Sequence, residues 1–458
     1  MENSSAILIG EVVKKDVVYS ADCFNQKPLD SNTQLVVEYS IMALEAQLIM
    51  ASGDWHDTSR SLDGTIDVIT GCMKIGSFIF PPAAPILMGI ATVGAYVKKF
   101  MKLFPDNRPD PVVVKYKELE TAINQLEKQM KVHFASLQSF LTDHNFDVNI
   151  TTQASTLMRY MRNCLKYQDE FDVEYFKDEY EKNPPLKMAY FMASLLENRS
   201  TNPLIMAMDA EKAKTKATFN KWKTIITGIL GQFLFIEAFA TGLLERSDFD
   251  RDKIVKQRQD LDKSLDEWEN EYKKDIGYWV ELKEDFDQYF ESHTHLTNAQ
   301  KSQEIRERLA KYLTRDSFYI VVMNEATYEK FYGYYCNNES DQMIGAWWKG
   351  KCNAFVYRTR NNDTRRKDYA IAGKDSQDAA SLLRWNGSLK NVLRDQLSMK
   401  PQFSPYGFLG LLGMHCNAQI NWVNDNGPQP GHVQKMFLMD QKGNRQAEYW
   451  LITAFLTT

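Results

Sequence analysis

Residues 75–97, IGSFIFPPAAPILMGIATVGAYV, run 23 positions without a charge and stop abruptly at Lys98 and Lys99. That is the length an α-helix needs to cross a bilayer, about 20 apolar residues. Pro81, Pro82 and Pro85 lie inside the run. Proline removes a backbone donor and its ring clashes with the preceding turn, so one straight span is disfavoured and a helical hairpin bent at FPPAAP is expected. Any fold for this chain must bury that hairpin or give it to lipid.

The rest of the chain argues for concealment. A quarter of the 458 residues are charged and the formal net charge is -5, as in a water-soluble protein of two or three domains. The first 316 residues carry 39 Lys+Arg against 48 Asp+Glu, and the remainder 16 against 12, which sum to the 55 and 60 of the whole chain. Neither part is basic enough to expect nucleic acid as a partner. The opening MENSSAILIGEVVKKDVV lacks the basic segment and long apolar core of a secretory signal, which leaves the compartment open. N-x-S/T triplets at Asn149, Asn198, Asn338, Asn362 and Asn386 matter only in a secretory pathway.

Up to about residue 315 the pattern is helical. TQLVVEYSIMALEAQLIM, from Thr33, reads as a largely buried helix. After the breaker NRPDP, Leu119, Ile123, Leu126, Met130, Phe134, Leu137 and Leu141 recur at spacings of three and four, giving one long amphipathic helix. Helices are expected near residues 155–180 and 186–197, parted by Asn183-Pro184-Pro185. Residues 224–244, TIITGILGQFLFIEAFATGLL, hold one charge, Glu237. A helix apolar on every side belongs in a core or in lipid, and a carboxylate there needs a partner. A second long helix is expected over 250–290 from the stripe Ile254, Leu261, Leu265, Trp268, Tyr272, Ile276, Trp279, Phe286 and Tyr289.

Composition changes near Ser317. SFYIVVMNE and NAFVYRTR read as strands, FYGYY as an aromatic strand, and VQKMFLMD with RQAEYWLITAF as a closing hairpin turning at Lys442-Gly443-Asn444. A helix is expected over 378–397. The fold class is therefore α+β and multidomain: an N-terminal all-α bundle, residues 1–316, with a central apolar hairpin and long amphipathic helices, then a mixed or β-rich domain, residues 317–458. Five tryptophans fall in that second domain. Exposed ones such as Trp347, Trp348 and Trp385 could stack on a sugar or anchor a partner, although core packing is the commoner fate.

Catalytic signatures are absent. The chain has no G-x-G-x-x-G, P-loop, G-x-S-x-G or H-E-x-x-H, so neither catalytic residues nor a cofactor site are expected. His293 and His295 offer two imidazoles but no evident third ligand, and no metal site is assigned. The runs DEFDVEYFKDEYE and KEDFDQYFE read as solvated faces of packed helices. Cys23, Cys72 and Cys164 are scattered without ligand spacing, whereas Cys336, Cys352 and Cys416 could include one disulfide, with Cys336 and Cys352 the favoured pair.

The succession DVITGCMKIGSFIF, a proline-rich turn, APILMGIATVGAYVKKFMKLF and the helix KYKELETAINQLEKQMKVHFASLQSF resembles the helical domain of cnidarian jellyfish toxins. It is also similar to rapunzel-type animal proteins and, more remotely, to the helical domain of bacterial insecticidal crystal toxins. The likeness spans roughly residues 60–290 and rests on the arrangement of segments. It implies a pore-forming-toxin-like protein that assembles as a homo-oligomer on a lipid membrane, with the C-terminal domain recognising a cell-surface receptor or glycan. Gly71, Gly76, Gly89 and Gly94 suit close helix approach in lipid and in a tight soluble core alike.

Two readings follow. In the first, the candidate membrane-insertion residues are Ile75, Phe78, Phe80, Pro81, Pro82, Ile86, Leu87, Gly89, Ile90 and Val93 of the hairpin, with Ile225, Leu230, Phe233 and Phe235 of the later apolar helix. Secretion towards a target-cell membrane goes with it. In the second, the chain is a soluble helical scaffold, cytoplasmic, whose apolar helices never leave their bundle.

Overall fold

A computed structural model describes residues 121, 146–167, 169–244, 249–360, 383–400, 403, 406–424 and 430–455. The described chain is α+β, with long helices up to Ala310 and antiparallel strands from Asp316. It forms two compact units, Met1–Pro203 with Lys223–Asp262, and Leu204–Trp222 with Lys263–Thr458. The proline hairpin at 75–97 lies outside the described residues, as does all of the helix expected over 119–141 except Thr121.

In the first unit a single π-turn, Asp147–Thr151, leads into α1 (Thr152–Tyr167), followed by α2 (Glu170–Lys182) and α3 (Pro185–Glu197). The stripe Ala154, Leu157, Met158, Met161 and Cys164 buries one face of α1. Asp169 starts α2 by accepting the Asp172 N–H at 2.8 Å, so the first turn is capped by a side chain. Pro184 and Pro185 then end one helix and begin the next, since proline is tolerated only in a first turn. Four buried residues, Met188, Ala189, Met192 and Leu196, face inward from α3.

Two longer helices follow. After the short α4 (Pro203–Ala210), α5 (Lys216–Leu243) begins eight residues before the expected 224 because Thr215 caps it, its hydroxyl accepting the Thr218 N–H at 3.3 Å. The expected helix over 250–290 is two helices, α6 (Phe249–Tyr272) and α7 (Gly277–Ser292). At the end of α6 the bonding tightens from Lys273 N–H to Glu269 O, to Lys274 N–H on Glu271 O and Asp275 N–H on Tyr272 O, which closes the helix. Gly277 restarts it, donating its N–H to Asp275 Oδ1. A Cβ there would stand 2.6 Å from the Lys212 carbonyl oxygen, so this corner needs glycine. Periodicity runs across the break because each helix has its own apolar face.

The second unit is built around two four-stranded antiparallel sheets. The first has the order β3 (Met343–Lys349), β4 (Cys352–Arg360), β1 (Asp316–Asn324), β6 (Gln419–Val423); the second has β2 (Tyr332–Cys336), β5 (Tyr406–Gly413), β8 (Arg445–Phe455), β7 (Gly431–Met439). Side chains alternate between faces along every strand. From β1, Tyr319, Val321 and Met323 point into the core shared with the second sheet, where Phe408, Leu412, Ile452 and Ala454 meet them. Phe318, Ile320 and Val322 point the other way, onto Trp279, Leu282 and Phe286 of α7 and Ile305 and Leu309 of α8 (Asn298–Ala310). Burial on both faces explains why SFYIVVMN is a continuous apolar run.

The outer face of the second sheet is covered in turn. Leu409, Leu411, Met436, Leu438 and Leu451 pack on Leu389, Val392, Leu393 and Leu397. Those last residues belong to the short helical segment Leu389–Asn391 and Val392–Leu397, where a helix over 378–397 was expected; residues 378–382 lie outside the described ones. The result is helix, sheet, sheet, helix. Cys336 and Cys352 sit on different sheets and are free thiols, so the favoured disulfide does not form.

Candidate functional site

Two places carry chemistry, one in each unit. In the first unit it is α5. Among the described residues this is the one helix long and apolar enough to cross a membrane, and most of its apolar stretch is buried. Its 28 residues extend about 42 Å at 1.5 Å per residue. The insertion candidates Ile225, Leu230, Phe233 and Phe235 are all buried, along with Ile229, Leu234, Ile236 and Phe239 on the other sides. The hairpin candidates, Ile75 through Val93, lie outside the described residues.

Lys216, Lys221 and Lys223 lie near the start of this helix, and Glu237 is the charge inside its apolar stretch, 2% exposed. The Tyr180 hydroxyl, reaching from α2, lies 2.9 and 2.8 Å from its two carboxylate oxygens and donates to them. The partner that the sequence required is therefore a phenol from 57 residues upstream. Phe176 fixes the same face of α2 by packing edge-on against Phe239, ring centroids 5.3 Å apart. Further along α5, Gln232 is buried and its Oε1 has no hydrogen-bond partner. Thr241 bonds its hydroxyl back to the Glu237 carbonyl oxygen at 2.8 Å, a pattern that satisfies hydroxyls inside an apolar helix.

Helix α2 has two faces. Inward it presents Phe176 and Tyr180; outward it presents the acidic side chains of DEFDVEYFKDEYE and also Phe171 and Tyr175, 72% and 57% exposed. Sequence reasoning foresaw the solvated acids and missed the exposed aromatics, because a Phe at helical spacing ordinarily points inward. The second acidic run, on α7, does bury its aromatics, Phe286 and Phe290. Its acids form ion pairs, Glu284 with Lys212 at 2.9 Å, Asp285 with Arg308 at 2.8 Å and Glu291 with Lys349 at 2.6 Å.

In the second unit the recognition candidates do not share a surface. Trp347 stacks on Tyr332 and Tyr334 inside the sandwich, with centroids 5.5 and 5.7 Å away. Trp385 packs against the outer core of the second sheet and donates its backbone N–H to Met439 O. Trp348 alone of the three faces solvent, 53% exposed, because a bulge between Ala346 and Lys349 turns it outward at a φ of 59°. Trp422, on the opposite edge strand of that sheet, is exposed as well. His293 and His295 stack with ring centroids 6.0 Å apart, and the described residues hold no group of three or more His, Cys, Asp or Glu placed to bind a metal ion.

A polar knot under α7 was invisible in the sequence. The Asp316 carboxylate, at the start of β1, accepts the Tyr278 hydroxyl and lies 3.5 Å from Arg358 Nη1. Arg358 also reaches Asp341 Oδ1 at 2.8 Å and its carbonyl oxygen at 3.0 Å, and its guanidinium rests 4.6 Å above the Trp279 ring. Burial, then the Asp316 charge, pushes the Tyr278 phenol well above its ordinary range, so it stays a donor. The members are 38 and 42 residues apart, and no local pattern links them. Buried acid, phenol and guanidinium satisfy one another, which is the arrangement of a structural tie.

No curated protein and no solved structure matches the chain. One family does: the model of DUF684, described as a protein of unknown function, matches residues 114–445. That span takes in the described helices and seven of the eight strands, stopping at the first residue of β8, and so the chain is a member of the DUF684 family.

Proposed function

We propose that the protein is membrane-active, a pore-forming-toxin-like protein that keeps its apolar helices inside an N-terminal helical bundle and releases them at a lipid surface, with the C-terminal domain choosing the target. The observation that carries the reading is α5: a helix of spanning length, most of its apolar stretch buried, with its carboxylate clasped by the Tyr180 hydroxyl. Only helices and closed barrels satisfy their backbone in lipid, so a stored helix of this kind is the economical way to carry a membrane element through water. The hairpin at 75–97, bent at its prolines, is the second inserting element on this reading, and the resemblance to the jellyfish-toxin helical domain supports the pair. Trp348, solvent-facing on the β3–β4 turn, is the contact offered to a receptor or glycan. Assembly as a homo-oligomer belongs to the same reading.

Burial of α5 suits a soluble scaffold equally well, because core helices of large bundles are apolar all round. Release of a trapped dye from liposomes separates the two. The full chain should bind and empty zwitterionic or anionic vesicles at some pH between about 5 and 8, the range in which acidic compartments and histidine switches work. Neither leakage nor association with any of those vesicles would leave the scaffold as the function.

A further inference from the structure

Lys301 occupies a core position. On α8 the buried face runs Lys301, Ile305, Leu309, spaced by four, and the lysine is 2% exposed where the pattern calls for an apolar residue. A buried ammonium is costly unless it is paired, and among the described residues no carboxylate forms an ion pair with it. Its Nζ instead donates to the Gly350 carbonyl oxygen at 2.9 Å and lies 3.5 Å from the Cys352 Sγ, with the Phe290 ring 5.8 Å away. Cys352 is fully buried on β4, and its thiol donates to Lys349 O at 3.2 Å.

The β3–β4 turn is shaped to hold this arrangement. Gly350 has a φ of +53°, and a Cβ on it would fall 2.1 Å from the Phe290 carbonyl oxygen, so the turn lies directly on the end of α7. Its carbonyl thereby faces Lys301. The cover is one turn thick: Gly350 is partly exposed and Lys351 exposed, while the amine and thiol sit beneath them. Burial raises the Cys352 pKa, and the Lys301 ammonium works against that rise. Free Cys336 and Cys416 have no such amine neighbour among their hydrogen-bond partners.

We propose that Lys301 and Cys352 form an oxidative modification site, at which a peroxide joins them through one oxygen atom into an N–O–S bridge between α8 and β4. The first peroxide takes the thiol to sulfenic acid: an S–O bond forms, the peroxide O–O bond breaks and water leaves. The second oxidises the amine against that sulfenic acid, forming the N–O bond and releasing two more waters. In sum, an ammonium, a thiol and two hydrogen peroxides give the bridge, three waters and one proton. Sulfur and nitrogen are oxidised and both peroxides are reduced. The neighbouring amine captures the sulfenic acid before it climbs to sulfinic acid, and a reducing dithiol reverses the bridge.

The bridge closes a loop of 51 residues and fixes α8 to the first sheet, which raises the thermal midpoint of the oxidised protein. The test is hydrogen peroxide treatment of the full chain, digestion with trypsin without reductant, and mass spectrometry. The expected product is a linked pair of peptides, uncleaved after Lys301, one oxygen heavier and two hydrogens lighter than the free peptides combined, and separated by dithiothreitol. Cys352→Ser removes it. Lys301→Met removes it and lets Cys352 proceed to sulfinic acid, with circular dichroism confirming that each variant is folded. Unlinked sulfinic acid at Cys352 in the folded wild type, or an untouched Cys352 thiol at peroxide levels that oxidise the partly exposed Cys336, would overturn the proposal.

Discussion

At the scale of single residues the chain relies on a few buried polar groups whose partners come from far away in sequence. Glu237 was legible as a buried charge because residues 224–244 hold no other charge; Tyr180 was not, because nothing local distinguishes it from the other tyrosines of its acidic helix. Tyr180→Phe takes away the hydroxyl that donates to both carboxylate oxygens, and a hydrogen bond to a charged group is worth about 1.5–3 kcal/mol. Urea unfolding should show a loss of that size, and an unchanged midpoint would mean that the clasp does not hold α5. Phenols buried in the second unit set a pH limit too. Burial, with a smaller push from Tyr328, raises Tyr332 from 10.0 to about 12, and Tyr278 is raised further by burial and Asp316. A raised phenol stays protonated when folded while its unfolded counterpart ionises, so this stability is intact below pH 10 and drains away as pH climbs towards about 12. Urea midpoints should fall across that window, whereas a flat profile would show that these rings are not buried in solution.

At the scale of elements, what could be read was what repeats. The apolar α5, the continuous apolar β1 and the closing β7–β8 hairpin announce themselves by composition or by a period of 3.6 or 2. The break between α6 and α7 does not, because it depends on Lys212, in the connection between α4 and α5, approaching and leaving no room for a side chain at Gly277. Gly277→Ala forces a Cβ to within 2.6 Å of a backbone carbonyl oxygen that cannot rotate away. Overpacking of this kind costs about 1–3 kcal/mol, so the variant should melt earlier in a thermal scan, and wild-type stability would show that the corner can open. Tryptophans were equally unreadable. A bulge sends Trp348 out while Trp347, its neighbour in sequence, turns into the sandwich, and only the strand register distinguishes them.

At the scale of the whole molecule, a β-rich portion beginning near Ser317 was visible in composition, but the packing of the second unit reaches back to α7 and α8. Phe318, Ile320 and Val322 bury themselves on those helices, so a fragment starting at Ser317 uncovers one face of the first sheet. It should be insoluble or aggregate on gel filtration, while a fragment starting at Lys263, which keeps both helices, should be markedly more soluble; equal behaviour would show that the helical layer is dispensable. The match to DUF684 includes parts of both units without assigning an activity. The functional account therefore stands on α5 meeting lipid. A photoactivatable carbene carried on the acyl chains of liposomes reads this directly, by labelling only residues that enter the hydrocarbon. Label is expected within Lys216–Leu243 after the full chain has bound; a chain that carries no label on this helix under every condition tested would rule out its insertion.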